Sequence, residues 1–288
     1  MSASILGAAA RAIVVLAGNL ALFATTGGPV VAADASAWDG GPRAAMRLIA
    51  GGRPSAMPAG TLRAGIEIRL GPGWKTYWRY AGDSGVPPRF RFDRSDNVAT
   101  ATVLFPAPHG FTDEGGGSIG YKDTVILPVR VVPREPGKPV VLRLDLDYAI
   151  CEKLCVPVEA KAELALPGDG GEEAALAASE ARVPRPVGLG EGDPLSIRAI
   201  LREDGGARPR IIVDVAAPAG ADLALFAEGP TPEWSLPIPA PAEGAPPGLR
   251  RFAFDLDGLP PGASAHGATL RLTAVTAEAA IEVTTRLD

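Results

Sequence analysis

Apolar and polar residues alternate along much of this 288-residue chain. From Leu62 onward the stretch TLRAGIEIRL (61–70) sets an apolar side chain at every second position, the period of a strand with one buried face. Further runs follow at close spacing. PRFRFD puts Phe90 and Phe92 on one face, and NVATATVLFPAP ends against Pro106 and Pro108. YKDTVILPVRVV and VVLRLDLDYAI have strand composition, and VEAKAELALP alternates at Val158, Ala160, Ala162, Leu164 and Leu166. Residues 110–120, GFTDEGGGSIG, read as a glycine-rich loop. Residues 168–194 have room for one short helix over 171–181 but read mainly as a linker. A second β-rich block follows, with LSIRAILRED, RIIVDVAAP, DLALFAEG, RRFAFDLDGL, ATLRLTAVTA and AAIEVTTRL. The pattern predicts an all-β protein of two β-sandwich domains, 36–167 and 195–288, joined by the linker 168–194.

The first 35 residues have a different pattern. Arg11 precedes the apolar run AIVVLAGNLALFA, and a small-residue region ending VVAADA comes next. These are the three parts of a cleaved secretory signal peptide over 1–35, with cleavage expected after Ala33 or Ala35. The apolar run is short and broken by Gly18 and Asn19, and no later stretch approaches the ~20 apolar residues of a spanning helix. The mature chain is therefore expected in an oxidising compartment, where disulfides persist. A net charge of −5 without a long basic run argues against nucleic acid or an anionic membrane as the main partner.

The only two cysteines, Cys151 and Cys155, stand together in DYAICEKLCVP. Three readings compete. As a staple, the pair would close a very small loop, worth only ~2 kcal/mol in the chain-entropy picture, and a domain with several apolar strands does not need it. As a metal clip, two thiolates suit a soft ion such as Cu(I). Zinc wants four ligands, yet His109 and His266 are the only histidines and Met46 and Met57 are far away in sequence. As an exchanging dithiol, the pair would sit across a hairpin mouth. A strand through Leu146–Ile150 runs into Cys151, Glu152-Lys153-Leu154 connects, and Pro157 limits the returning strand to a sheet edge. Lys153 would favour a thiolate and Glu152 would oppose it. Spacing alone does not choose among the three. No nucleotide-binding glycine motif and no readable Ser-His-Asp arrangement competes for attention.

The surrounding text adds a resemblance. W-x-x-Y-W-x-x-x-G-D-S-G-V-P-P (Trp74 to Pro88), LFPAPHGFTDE (104–114), GYKDTVILPV (120–129) and YAICEKLCVPVEAKAELAL (148–166) occur in that order. Over roughly 45–167 the chain resembles the N-terminal domain of thiol:disulfide interchange protein DsbD. The second block is similar to the extra sandwich of the copper-sensitivity, ScsB-like branch. The resemblance implies an immunoglobulin-like first sandwich with Cys151 and Cys155 as a redox couple on an exposed hairpin, in the periplasm and without an organic cofactor. It implies a donor that is a membrane protein of the DsbD/CcdA type or a thioredoxin-like protein, and oxidised periplasmic proteins as acceptors. Tyr77 is expected to line the site. Asp113 and Glu114 correspond to an acidic pair beside the family's cap loop, where a carboxylate could help move protons. Core packing for Tyr77 and solvated charge for the acids are the competing readings.

Three departures stand out. Three residues separate the cysteines instead of the five of better-known members. Gly115-Gly116-Gly117 follows the acids where those members carry an aromatic cap residue, with Phe111 on the other side of the acids. The resemblance includes neither the membrane nor the thioredoxin-like domain, so a separate membrane partner is implied. A copper-tolerance module that holds Cu(I) on the same two cysteines, or docks partners, is the alternative. A structural sandwich with a vestigial pair is the plainest one.

Overall fold

The computed structural model describes Met1 and residues 33–52, 60–82, 85–113, 116–204 and 208–287. The expected signal peptide lies almost wholly outside them. Ala32–Asp288 form one compact unit. Eleven strands come first: β1 (Asp39–Gly40), β2 (Ala44–Ala50), β3 (Leu62–Leu70), β4 (Lys75–Gly82), β5 (Arg89–Arg91), β6 (Val98–Val103), β7 (His109–Asp113), β8 (Gly116–Lys122), β9 (Thr124–Pro133), β10 (Val140–Cys151) and β11 (Cys155–Leu166). The helix α1 (Glu173–Ala181) follows, then β12 (Arg185–Pro186), β13 (Ser196–Glu203), β14 (Arg210–Ala216), β15 (Ala224–Glu228), β16 (Ala240–Ala242), β17 (Arg250–Asp255), β18 (Thr269–Val275) and β19 (Ala280–Arg286).

The first eleven strands make two facing sheets, ordered β1-β2-β3-β9-β6 and β11-β10-β4-β8-β7, with β5 added to the flank of β10. The alternation read in the sequence fills the space between them. Ala64, Ile66 and Ile68 of β3 face Leu142, Leu144 and Leu146 of β10 through a common core. Later strands form two further sheets, β12-β19-β18-β15 and β13-β14-β17-β16. One hydrophobic cluster runs through both sandwiches. β4 makes the joint. The Trp78 and Phe226 rings lie 6.1 Å apart. The Tyr80 hydroxyl donates to the Trp234 carbonyl and accepts from the Leu236 amide. The Arg79 guanidinium binds Glu228 through two hydrogen bonds and also reaches Glu282.

Two segments differ from the sequence reading. Residues 110–113 and 116–120, read as part of a loop, are strand: β7 and β8 pair from His109↔Gly120 to Asp113↔Gly116. Glycine lowers strand propensity, so the run looked unpaired, but here it lets two backbones close up. A Cβ on Gly120 would lie 1.9 Å from the Thr76 carbonyl oxygen of β4. The segment read mainly as a linker is also ordered. α1, inside the span the sequence allowed, packs Leu176 against the outer side of the first sheet. Arg63 of β3 is buried beneath it and binds Glu180 through two hydrogen bonds and Glu173 through another. At the entry to this segment the Asp34 carboxylate accepts amide hydrogens from Asp169, Gly170 and Gly171 at 2.7–3.0 Å.

The hydrogen bond from Arg63 holds the Glu173 carboxyl below its ordinary value of 4.5, outweighing the desolvation that raises it. A depressed carboxyl contributes stability above its unfolded value and loses it as pH falls through the folded one. The wild type is therefore expected to lose stability on acidification below about pH 4.5. Arg63→Met should lower stability at pH 7 by ~1–3 kcal/mol, since it strands two carboxylates at a partly buried site. It should also flatten this acid slope. Urea midpoints at pH 7 and pH 4 check both points.

Candidate redox site

The β10–β11 hairpin positions the two sulfurs. Its ladder runs through twelve residue pairs, from Val140↔Leu166 to Cys151↔Cys155. Side chains alternate along it. Leu142, Leu144, Leu146, Tyr148 and Ile150 face the core, so Asp145, Asp147, Ala149 and Cys151 face outward. Arg94 and Arg91 grip Asp145 and Asp147, and these hydrogen bonds hold both carboxyls below the ordinary range. Beyond them the outer face turns apolar. Ala149 and Cys151 cluster with Tyr77 and Ala81 of β4.

Cys151 and Cys155 are joined by a disulfide with Cα atoms 4.2 Å apart. Their environments differ. Cys151 is buried at 6% exposure, whereas Cys155 is exposed. The connecting residues are exposed too, and Leu154 stands 79% open beside the bond. The Tyr77 hydroxyl lies 3.1 Å from Cys155 Sγ. The Thr76 hydroxyl donates to the Ala149 carbonyl at 2.9 Å and ties β4 to β10 at this point.

Lysine lies next to the sulfur across the sheet. Cys151 pairs with Lys75, and Lys75 pairs with Lys122. Lys75 is buried; its Nζ donates to Ser118 Oγ at 3.0 Å and sits 5.4 Å from the Phe111 ring centre. Lys122 Nζ approaches the same ring at 4.8 Å. Phe111, read as lying on the far side of the acids, is thus packed against both lysines. Of the expected site residues, the structure brings Tyr77 to the sulfurs. Asp113 ends β7 opposite Gly116, and Glu114 lies outside the described residues. Lys75, Thr76 and Ser118 were not foreseen. The only signal was a polar K-T inside an aromatic strand, which by itself says nothing about which sulfur it neighbours. His266 is exposed in a turn. Among the described residues no group of three or more His, Cys, Asp or Glu side chains gathers that could hold a metal ion.

Residues 47–167 match the family described as thiol:disulfide interchange protein DsbD, N-terminal. This segment fits the DsbD N-terminal domain. The whole fold is similar to a solved structure, the N-terminal periplasmic domain of ScsB from Proteus mirabilis, with a TM-score of 0.67. The match covers 88% of this chain and 97% of that one at 21% identity, a likeness of fold: all-β and immunoglobulin-like. No curated protein matches the chain. Among the described residues no helix is long and apolar enough to cross a membrane.

In the segment that fits the DsbD N-terminal domain, the Tyr77 hydroxyl makes a polar contact to Cys155 Sγ. A hydroxyl donates more strongly to a thiolate than to a disulfide sulfur. Tyr77→Phe should therefore disfavour the reduced form and make the couple more reducing by ~10–30 mV, the equivalent of one modest hydrogen bond. Equilibration in graded thiol buffers measures it. An unchanged potential would remove Tyr77 from the redox chemistry.

Proposed function

We propose that the chain is a periplasmic thiol–disulfide exchange module that relays electron pairs through Cys151 and Cys155. The observation that carries this reading is the asymmetry of the pair: one sulfur open to a partner, the other sheltered by Tyr77, Ala81 and Ala149. An incoming thiolate from a reduced donor attacks Cys155 Sγ. The S–S bond breaks, and Cys151 leaves as a thiolate and takes up a proton. The donor's second thiolate then attacks its own sulfur in the mixed disulfide and frees Cys155. The module has gained two electrons and two protons, and the donor is oxidised. In the second half-cycle the Cys155 thiolate opens an acceptor disulfide, and Cys151 resolves the mixed disulfide by attacking Cys155 Sγ. No cofactor enters either half.

Donors of the DsbD/CcdA membrane type or thioredoxin-like proteins fit the family match, as do oxidised periplasmic proteins as acceptors. Asp113 and Glu114 are proposed to take part in proton exchange, as the likeness to the family's acidic pair suggests. Export by a signal peptide completes the reading. Of the two expected cleavage points, only the one after Ala33 keeps Asp34, whose carboxylate holds the amides of Asp169, Gly170 and Gly171. Intact mass of the exported protein should accordingly give Asp34 as the first residue.

Trapping tests the relay. Cys151→Ala leaves the accessible sulfur without its resolving partner and should accumulate mixed disulfides with partner proteins in cells. Cys155→Ala should accumulate several-fold fewer. If neither variant captures a partner, the relay is wrong; if Cys155→Ala traps the more, the order of attack is reversed.

A further inference from the structure

Apart from the disulfide, one cavity gathers two cations, Lys122 and Arg182, and a histidine from three separate segments. It holds about 270 Å³. His109 from the start of β7, Lys122 from the end of β8 and Arg182 from just beyond α1 line it, over an apolar floor of Pro106, Ala107 and Val125. Among the described residues no Asp or Glu lines it, in a chain whose net charge is −5. Glu180 of the helix is engaged with Arg63. Two lining hydroxyls are committed: Tyr121 donates to the Pro106 carbonyl at 2.8 Å, and Ser179 donates to the Ile126 carbonyl.

The cations keep donors to spare. Arg182 spends one N–H on the Ala277 carbonyl at 3.0 Å, of the five its guanidinium carries. Lys122 leans on the Phe111 ring, a contact that leaves its ammonium hydrogens available. The Ala107 amide donates to the Arg182 carbonyl at 2.8 Å and fastens one wall to the other. Like charges collected without a counter-charge repel, and an anion between them reverses the sign of that interaction. At the end of α1 the Arg182 and Val183 amides cap the Ser179 and Glu180 carbonyls.

We propose that this cavity is a binding site for a small organic anion. A carboxylate or phosphate head would sit among Lys122, Arg182 and His109, and a short apolar body would lie on the floor. The volume falls below the range of drug-sized ligand pockets, which limits the ligand to a few carbons beyond its head. The site does not depend on the redox reading.

Calorimetric titration of the full mature chain tests it with four probes: phenyl phosphate, benzoate, inorganic phosphate and benzyl alcohol. Phenyl phosphate or benzoate should bind saturably, the tighter of the two naming the head. Inorganic phosphate should bind more weakly for want of the body, and benzyl alcohol not at all. The double variant Lys122→Gln, Arg182→Gln should weaken the tighter probe at least about tenfold, which is ~1.4 kcal/mol. Its urea midpoint guards against misfolding, and Arg182→Gln alone provides a milder variant if the double one is unstable. Absence of saturable binding by both aromatic anions overturns the proposal, as does equal binding of benzyl alcohol or a folded variant that binds like the wild type.

Discussion

The register of the β10–β11 ladder is the constraint on which the site depends. Its twelve pairs set five core-facing side chains on β10 from Leu142 to Ile150, and the same parity turns Cys151 outward opposite Cys155. A slip of one residue would send Leu142, Leu144 and Leu146 into water and the cysteine into the core. Each buried leucine is worth ~1.5–3 kcal/mol, so hydrophobic burial fixes the position of a sulfur it does not touch. Pro157 stands on β11, an edge of its sheet, where its missing amide costs the ladder nothing outside.

β4 carries that order to the rest of the molecule. Its neighbours on one side are the disulfide strand and on the other the β7–β8 hairpin. Tyr77 points to Cys155, while Trp78, Arg79 and Tyr80 engage Phe226, Glu228, Glu282 and the backbone around Trp234. An aromatic contact such as Trp78–Phe226 adds ~0.5–1.5 kcal/mol beyond area burial. The second sandwich is thus fastened to the strand that lines the disulfide. Gly120 makes the other junction possible, since any side chain there would strike the Thr76 carbonyl.

Much of this was legible in the chain. Period-2 alternation marked β3 and β11, and strand composition marked β10. The cysteine spacing announced a hairpin mouth, and the order of aromatic and proline-rich blocks pointed to the family. Elements that depend on tertiary approach were not legible. The hairpin over 109–122 was masked by glycines whose purpose is to meet another backbone. The burial of Lys75 beside Cys151 follows from which strands become neighbours, and no local pattern encodes that. Nor does spacing tell Cys151 from Cys155: the shelter over one of them comes from Tyr77 and Ala81, some seventy residues earlier in the sequence. The anchoring of 169–171 by Asp34 is equally a contact between segments at the two ends of the first sandwich's sequence.

The most direct test is the reduction potential of the Cys151–Cys155 couple. The mature protein is equilibrated in graded thiol buffers and its thiols are counted by intact mass. A value of about −200 to −270 mV, where exchange proteins operate, is the predicted result. A value well below about −300 mV would mark a bond that resists ordinary thiols, and would contradict the account of this pair as an electron relay.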